Sequence, residues 1–328
     1  MSDTPFLTVM LPVYNGEKYV ADAIESVLGQ PCRDLELLIL NDGSTDATLK
    51  IASSYAEKDP RVVVYSHPNM GLGRNRNDGF ALVRGRCLAF LDHDDVIVPG
   101  FYTDAMRDAL GSLFDAGIEV VVPARLHADE SLTRGYRCDV PLEGVFPGSG
   151  EASLNLPYEF ATMLYATDVI ERNQIRFYEG APEMESIFRH KAVFCAERVL
   201  FTNGLFFEIR RDNPGQITKN WNVPEVARVR AEQYAKLVEW HRERGTTGVV
   251  LDEMARRAQE AQAELGTCRP ERVSALQRLR DNHRARKAHK QWLAGMEPLQ
   301  RYFYAGSPEA EASLSAVIGA ILQTAGLQ

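Results

Sequence analysis

Apolar residues in the first part of this chain fall into short unbroken runs, separated by stretches with helical spacing. Leu7-Thr8-Val9-Met10-Leu11, Leu35 to Leu40, Val62 to Tyr65, Cys87 to Leu91 and Val120 to Val122 are runs of strand length, the first stopped by Pro12. Runs of this kind bounded by turn residues predict buried strands. Between the first two, Glu17 to Leu28 carries Val20, Ala23, Ile24, Val27 and Leu28 on one helical face. Asn41-Asp42-Gly43-Ser44-Thr45-Asp46 is a turn rich in capping residues, and Ala47 to Ala56 reads as the helix it starts. Strands alternating with helices predict an α/β fold with a mostly parallel sheet flanked by helices.

The pattern then weakens. Residues 123–158 contain the breakers Gly144, Pro147, Gly148 and Gly150 and read as loop. Glu159 to Asn173 and Glu183 to Ala196 read as helices. Val199 to Arg210 reads as a strand with a turn at Asn203-Gly204. After Pro224 helix formers dominate, and helices are expected over 226–243, 249–265, 271–293 and 308–324. The chain thus divides into a sheet-based domain over 1–218 and an all-helical C-terminal region over 219–328. The last helix carries Leu314, Val317, Ile318, Ile321 and Leu322 as a stripe to be covered by another helix or by a second copy in a homo-oligomer. It is too short to span a bilayer.

Charge adds a second division. The formal net charge of −8 combines −12 over residues 1–216 with +4 over 217–328. The acidic part argues against nucleic acid as a partner. The five cysteines (Cys32, Cys87, Cys138, Cys195 and Cys268) have neither zinc-site nor disulfide-framework spacing, which fits a reducing cytoplasm. No signal-peptide pattern opens the sequence, and no apolar run reaches spanning length, so a cytoplasmic protein is expected. Arg278 to Lys290 forms a basic helical face. It reads either as a solvated surface or as a peripheral contact with anionic headgroups at the inner face of the membrane.

The candidate chemistry begins at Asp92-His93-Asp94-Asp95, directly after the buried run ending at Leu91. Three carboxylates at the exit of a buried strand are costly unless a cation answers them. Hard divalent ions such as Mn2+ or Mg2+ prefer carboxylate oxygens and complete their shell with substrate phosphates. The carboxyl ends of strands are also where open α/β sheets bind ligands. Two further loops end neighbouring strands there: Pro12-Val13-Tyr14-Asn15-Gly16-Glu17 and Asn41-Asp42-Gly43-Ser44. Tyr14 offers a ring for stacking a base, and Asp42 an acceptor for a base or ribose donor. The competing reading makes Asp92 to Asp95 a helix N-cap cluster before residues 96–108.

Four blocks carry a family resemblance: Val9 to Glu17, Asn41 to Asp46, Asn69-Met70-Gly71 with Arg76-Asn77-Asp78-Gly79, and Phe90 to Asp95. Together they resemble the family 2 glycosyltransferases of the GT-A fold, in that family's order and spacing. The resemblance implies a nucleotide-diphospho-sugar donor, a divalent metal at an Asp-x-Asp motif and inverting transfer, as in polysaccharide biosynthesis. Carried onto this chain, Pro12, Tyr14 and Glu17 line the nucleoside pocket, and Asp42 accepts from the uracil of a UDP-sugar. Asp92 approaches the ribose or the sugar, Asp94 is the principal metal ligand, Asp95 stands near the metal or the sugar, and Arg76 lies close to the donor. His93 is a spacer turned away from the metal. Arg76 could otherwise be a surface residue of a Gly-rich loop.

An inverting transfer also needs a carboxylate to take the proton of the attacking hydroxyl. The resemblance supplies this as the Asp of a Glu-Asp pair opening a helix after a Phe-x-Glu-Gly stretch. Here Phe177-Tyr178-Glu179-Gly180 is followed by Glu183-Met184-Glu185, so the pattern departs: Glu185 stands at the Asp position and Met184 at the Glu position. Glu185 is the first choice as base and Glu183 the second. A structural alternative makes both first-turn residues favoured by the helix dipole. Asn213 to Thr218 resembles the stretch that closes the family's catalytic domain, with Gln216 where a Ser is common. His190 and His127 read as structural rather than as metal ligands.

The expectation is therefore a hexosyl- or N-acetylhexosaminyl-transferase acting on a glycan or lipid-linked glycan acceptor. Two alternatives stay open. A non-catalytic nucleotide-sugar binding module draws on the departure at Met184. A sugar-phosphate nucleotidyltransferase lacks support, because Pro12 to Asn15 has no Gly-rich phosphate loop and no following Lys or Arg.

Overall fold

The computed structural model describes residues 4–154, 156, 162–179, 185–212, 224–267, 296–304 and 308–327. Its first part builds β1 (Leu7–Val13), α1 (Val20–Leu28), β2 (Leu35–Asp42), α2 (Thr48–Ala56), β3 (Val62–His67), α3 (Leu72–Gly79) and β4 (Cys87–Phe90). The helix α3 is the one element here that the apolar pattern did not predict. Its sequence LGRNRNDG has almost no apolar stripe, and it buries Asn75 and Arg76 instead. The strands lie in the order β3-β2-β1-β4, all parallel. Every residue of β1 and β2 is buried, as expected when both faces of a parallel sheet are covered. Leu7, Val9, Leu11 and Val13 join one apolar core with α1, while Met10, Leu38, Leu40, Leu88 and Phe90 join a second on the other face.

Beyond β4 the sheet becomes mixed. The chain continues through β5 (Val96–Ile97), α4 (Asp104–Asp115), β6 (Ile118–Ala128), β7 (Arg134–Cys138), β8 (Gly144–Pro147), β9 (Leu164–Ala166), α5 (Thr167–Arg172), α6 (Glu185–Cys195) and β10 (Arg198–Arg211). β9 runs antiparallel between β4 and β6, and β10 lies parallel to β6 on its far edge. β7 returns antiparallel on β6, and β8 antiparallel on β10.

Three expectations change. Residues 123–158 are not all loop, because β6 runs to Ala128 and β7 and β8 follow. Its alternation was masked by Arg125 and His127 on the less buried face. Residues 159–173 are not one helix: a three-residue buried strand, too short to show a period, precedes α5. Asn203-Gly204 does not turn the chain. β10 continues through it, and its register on β6 slips between Thr202 and Phe206, as a bulge allows.

The C-terminal region holds α7 (Pro224–Glu243), α8 (Val249–Thr267), β11 (Glu297–Pro298) and α9 (Pro308–Thr324). The helix expected over 271–293, with its basic face, lies outside the described residues. α7 and α8 pack on each other, and their Leu237, Val238 and Met254 share a small core with Ile187 of α6. The last part joins the main body: β11 pairs with β7, and Leu299, Tyr304, Leu314, Ile318 and Ile321 are buried in the first apolar core. The Tyr304 hydroxyl accepts from Phe206 N at 3.1 Å and donates to Gly204 O at 3.2 Å. The stripe on α9 is thus covered within the chain, against α4 and β10. Among the described residues no helix is long and apolar enough to cross a membrane.

One polar contact ties α7 to α6. His190 Nε2 and His241 Nε2 stand 2.8 Å apart, both rings buried. His190 also bonds to the backbone of Ser153, and His241 Nδ1 lies 3.2 Å from Thr246 Oγ1. A carbonyl only accepts, so His190 carries its proton on Nδ1 and accepts at Nε2, His241 donates from Nε2, and Thr246 donates to its Nδ1. Both rings are then neutral. Burial pushes His190 down to about 3, with the neighbouring His241 second, and pushes His241 down to about 4, with Arg244 second.

Because both histidines titrate lower in the folded than in the unfolded chain, this contribution to stability is complete above about pH 6.5 and is lost as pH falls toward 4. Urea unfolding at pH 7 and pH 5 is expected to show a loss larger in the wild type than in His190→Phe/His241→Phe, by on the order of 2–4 kcal/mol. Equal losses in both proteins would show that the pair does not couple folding to protons.

Candidate active site

Because β1, β2 and β4 are parallel, their C-terminal ends lie on one edge of the sheet, and their following loops meet there. The first two are stitched together by backbone amides that donate to side-chain oxygens of the other loop. Asn15, at φ +51°, donates from its N to Ser44 Oγ at 3.0 Å and accepts from Thr45 N at 2.8 Å. Gly16 N donates to Thr48 Oγ1 at 2.8 Å. The Glu17 carboxylate accepts from Ala47 N at 2.9 Å, so it satisfies the start of α2 while staying exposed. Pro12 is buried in β1 opposite Leu40, whereas Tyr14 projects, 48% exposed. Among these residues Tyr14 is the one with a free ring surface for a base.

Asp42 is buried, and its carboxylate accepts from Met70 N at 2.7 Å and Gly71 N at 2.9 Å. Its carbonyl accepts from Asn69 Nδ2 at 3.0 Å. This approach depends on Gly43, at φ +68°, where a Cβ would stand 2.5 Å from Asn69 N. The Asn69–Gly71 block, 26 residues away from Gly43 in sequence, is therefore part of the Asp42 site.

The acidic tetrapeptide is a turn closed by Asp95 N donating to Asp92 O at 3.0 Å. It is not a helix cap, because β5 follows and α4 starts only at Asp104, capped by Thr103. His93 is more than a spacer: its ring packs over Gly16, where a Cβ would stand 2.5 Å from His93 Cδ2. Asp94 is 9% exposed and Asp95 3%. Asp95 Oδ1 accepts from Arg211 N at 2.8 Å, and its carboxyl also bonds to Glu208 of β10. Burial first, then Glu208 and Asp94, hold the Asp95 carboxyl well above the usual carboxylate range. Two buried carboxyls this close share a proton.

Arg76 has no exposed surface, which removes the loop-surface alternative. Its Nη2 donates to Asp92 Oδ1 at 2.8 Å and its Nη1 to Glu185 Oε1 at 2.9 Å, with the guanidinium over the Phe177 ring at 5.1 Å. One side chain thus brings the end of β4 and the start of α6 together. Asn77 fixes the approach to α6, donating to Phe177 O at 3.0 Å and accepting from Phe177 N at 2.8 Å. Asp92 and Glu185 each keep a third of the side chain exposed. Glu183, Met184 and the stretch 213–218 with Gln216 lie outside the described residues.

Sequence reasoning missed Glu208 and Arg211 as parts of this region, and it named Asn77 within a motif block without seeing its clasp on Phe177. Their partners lie 100 or more residues away, so no local spacing marks them. Among the described residues no cluster of three or more His, Cys, Asp or Glu forms a ready metal cage. What the loop does offer is a hard-oxygen set, Asp92 and Asp94, with Asp95 and Glu208 adding negative charge behind it. That donor set fits a divalent ion completed by phosphate and water.

Residues 8–161 match the model of the glycosyl transferase family 2. The chain is 26% identical over 275 residues to the uncharacterized glycosyltransferase EpsJ of Bacillus subtilis, covering 76% of this chain and 74% of that one. Several other curated relatives are matched over less than two thirds of their own length. The fold is that of S. aureus TarS 1–349 in complex with UDP-GlcNAc, with a TM-score of 0.61 at 18% identity, covering 97% of this chain and 81% of that one. It is also that of the mannosyltransferase PcManGT from Pyrobaculum calidifontis in complex with GDP-Man and Mn2+, with a TM-score of 0.52 at 15% identity, covering 98% and 88%.

Replacing Arg76 by Gln leaves Asp92 and Glu185 facing each other without their shared cation. The expected cost is about 3 kcal/mol, read as a lower urea midpoint. An unchanged midpoint would show that the bridge does not hold α3, β4 and α6 together.

Proposed function

The chain belongs to glycosyl transferase family 2, and we propose that it transfers a hexose or N-acetylhexosamine from a UDP-sugar to a glycan or lipid-linked glycan hydroxyl, inverting the anomeric centre. The observation that carries this reading is the Arg76 bridge, which sets the acidic donor loop and a helix-initial carboxylate on one guanidinium. In this reading Tyr14 stacks on the base, beside Pro12 and Glu17, and the Asp42 carboxylate keeps lone pairs for a base N–H. Asp92 faces the ribose or sugar. Asp94, with Asp92 beside it, would hold a divalent ion, which would neutralise charge growing on the leaving diphosphate.

Glu185 is the general base. Its Oε1 is engaged by Arg76, and the exposed remainder of the carboxylate accepts the proton of the acceptor hydroxyl. That oxygen forms a bond to the anomeric carbon as the bond to the diphosphate oxygen breaks, and the electron pair leaves with the diphosphate. Attack opposite the leaving group inverts the centre. The complexes of the two structural neighbours with UDP-GlcNAc and with GDP-Man and Mn2+ support a nucleotide-sugar donor and a metal.

A thermal-shift panel of nucleotide sugars with and without Mn2+ tests the donor half, since a ligand of the native state raises its stability. One UDP-sugar is expected to give a Mn2+-dependent shift that Asp94→Ala abolishes. No shift with any nucleotide sugar would sink the reading. Glu185→Gln is expected to keep the shift and lose roughly 10²–10⁴-fold in turnover. A protein that keeps both the shift and its turnover after this change has its base elsewhere, with Glu183 next to be tested.

A further inference from the structure

On β6, Ala124, Leu126 and Ala128 enter the first apolar core, so Arg125 and His127 between them face the other way. On β10, Phe207 and Ile209 enter the same core, which turns Glu208 and Arg210 to that other face. Sheet register sets His127 directly beside Arg210 on one side and beside Tyr136 of β7 on the other. The His127 and Tyr136 rings stack, 5.1 Å between centroids and 15° between planes. Arg125 Nε donates to His127 Nε2 at 3.1 Å. An arginine Nε–H only donates, so the ring accepts at Nε2 and carries its proton on Nδ1. Arg125, His127, Tyr136 and Arg210 are each partly exposed.

This row of two guanidinium groups and two stacked rings adjoins the candidate site. Glu208, two residues before Arg210 on the same face, bonds Asp95, and Arg211 N donates to Asp95 Oδ1. The donor loops come from β1, β2 and β4, whereas the row lies across β9 on β6, β7 and β10. The row is also cationic within a segment, residues 1–216, that carries a net charge of −12. A planar guanidinium fork matches phosphate and carboxylate oxygens, and a stacked ring pair offers a flat surface to the C–H face of a sugar.

We infer that Arg125, His127, Tyr136 and Arg210 form the acceptor subsite, and that the acceptor is an anionic glycan bearing a phosphate or carboxylate at or beside the sugar attacked. This rests on the glycosyltransferase reading above and names its second substrate class.

The test uses the full chain saturated with UDP and Mn2+, titrated calorimetrically with glucose, glucose 6-phosphate, glucuronate and inorganic phosphate. At least one anionic sugar is expected to bind about ten-fold or more tighter than glucose, and tighter than phosphate alone. Which of the two binds tighter separates a phosphate-bearing from a uronate-bearing acceptor. Arg125→Gln and Arg210→Gln are each expected to weaken the anionic sugars by about ten-fold, with UDP affinity held within about two-fold. Arg125→Lys and Arg210→Lys, which keep the charge, should recover part of that loss and control for folding. Tyr136→Ala should weaken the sugars and leave phosphate unchanged.

Equal affinity for glucose and both anions would overturn the inference. So would anion binding that survives Arg125→Gln/Arg210→Gln. A loss of UDP affinity in the arginine variants would reassign the row to the donor diphosphate. Failure of the underlying reading looks different: the unaltered chain would then show no response to UDP or to any nucleotide sugar.

Discussion

A fully buried arginine holds the centre of this molecule. Arg76 sits on a helix with almost no apolar character, and that helix is kept in place by what it binds rather than by an apolar stripe. Its guanidinium answers Asp92 at the end of β4 and Glu185 at the start of α6. Burying a cation costs several kcal/mol unless its partners are well placed. The two carboxylates, the Phe177 ring and the Asn77 clasp on Phe177 meet that need together. The same contacts that stabilise the helix set the distance between the donor loop and the candidate base. Folding and site geometry are one constraint here.

The acidic loop shows the converse problem, too much negative charge in a small volume. It is handled at two levels. Asp92 is neutralised by Arg76, while Asp95 is drawn inward to Glu208 and the Arg211 amide. Asp94, 9% exposed, lies between them in the same turn. A hard cation brought with a diphosphate would offset the negative charge gathered in this turn. The Glu208–Asp95 contact also joins the donor-side loops to β10, whose next residue on that face, Arg210, begins the cationic row.

The C-terminal region serves two separate ends. α7 and α8 lean on α6 through a small apolar core and the neutral His190–His241 pair, which steadies the helix that Glu185 opens. β11, Leu299, Tyr304 and α9 instead complete the main sheet and its core. A chain cut at the composition shift near residue 224 would therefore lose part of the core that the first apolar runs begin.

By itself the sequence determined the early strands, the helices between them and the three loops at one sheet edge. Their signals are local: unbroken apolar runs, helical spacing and turn residues within a few positions. It also marked Asp92 to Asp95 and Asp42, because carboxylates directly after buried strands are improbable without a task. It misread the strands within residues 123–166, where a half-exposed strand carries Arg125 and His127 and a buried strand is three residues long, while the helix over 167–172 is as expected. It read the end of the chain as wholly helical, since a two-residue strand such as β11 has no period to detect. Only the tertiary structure decided that Arg76 is buried rather than displayed, that Glu208 pairs with Asp95, and that Tyr136, His127 and Arg210 stand in one row. Each of these depends on groups far apart in the chain meeting where water is excluded, and the strength of a charge there is set by its surroundings, which no local pattern records.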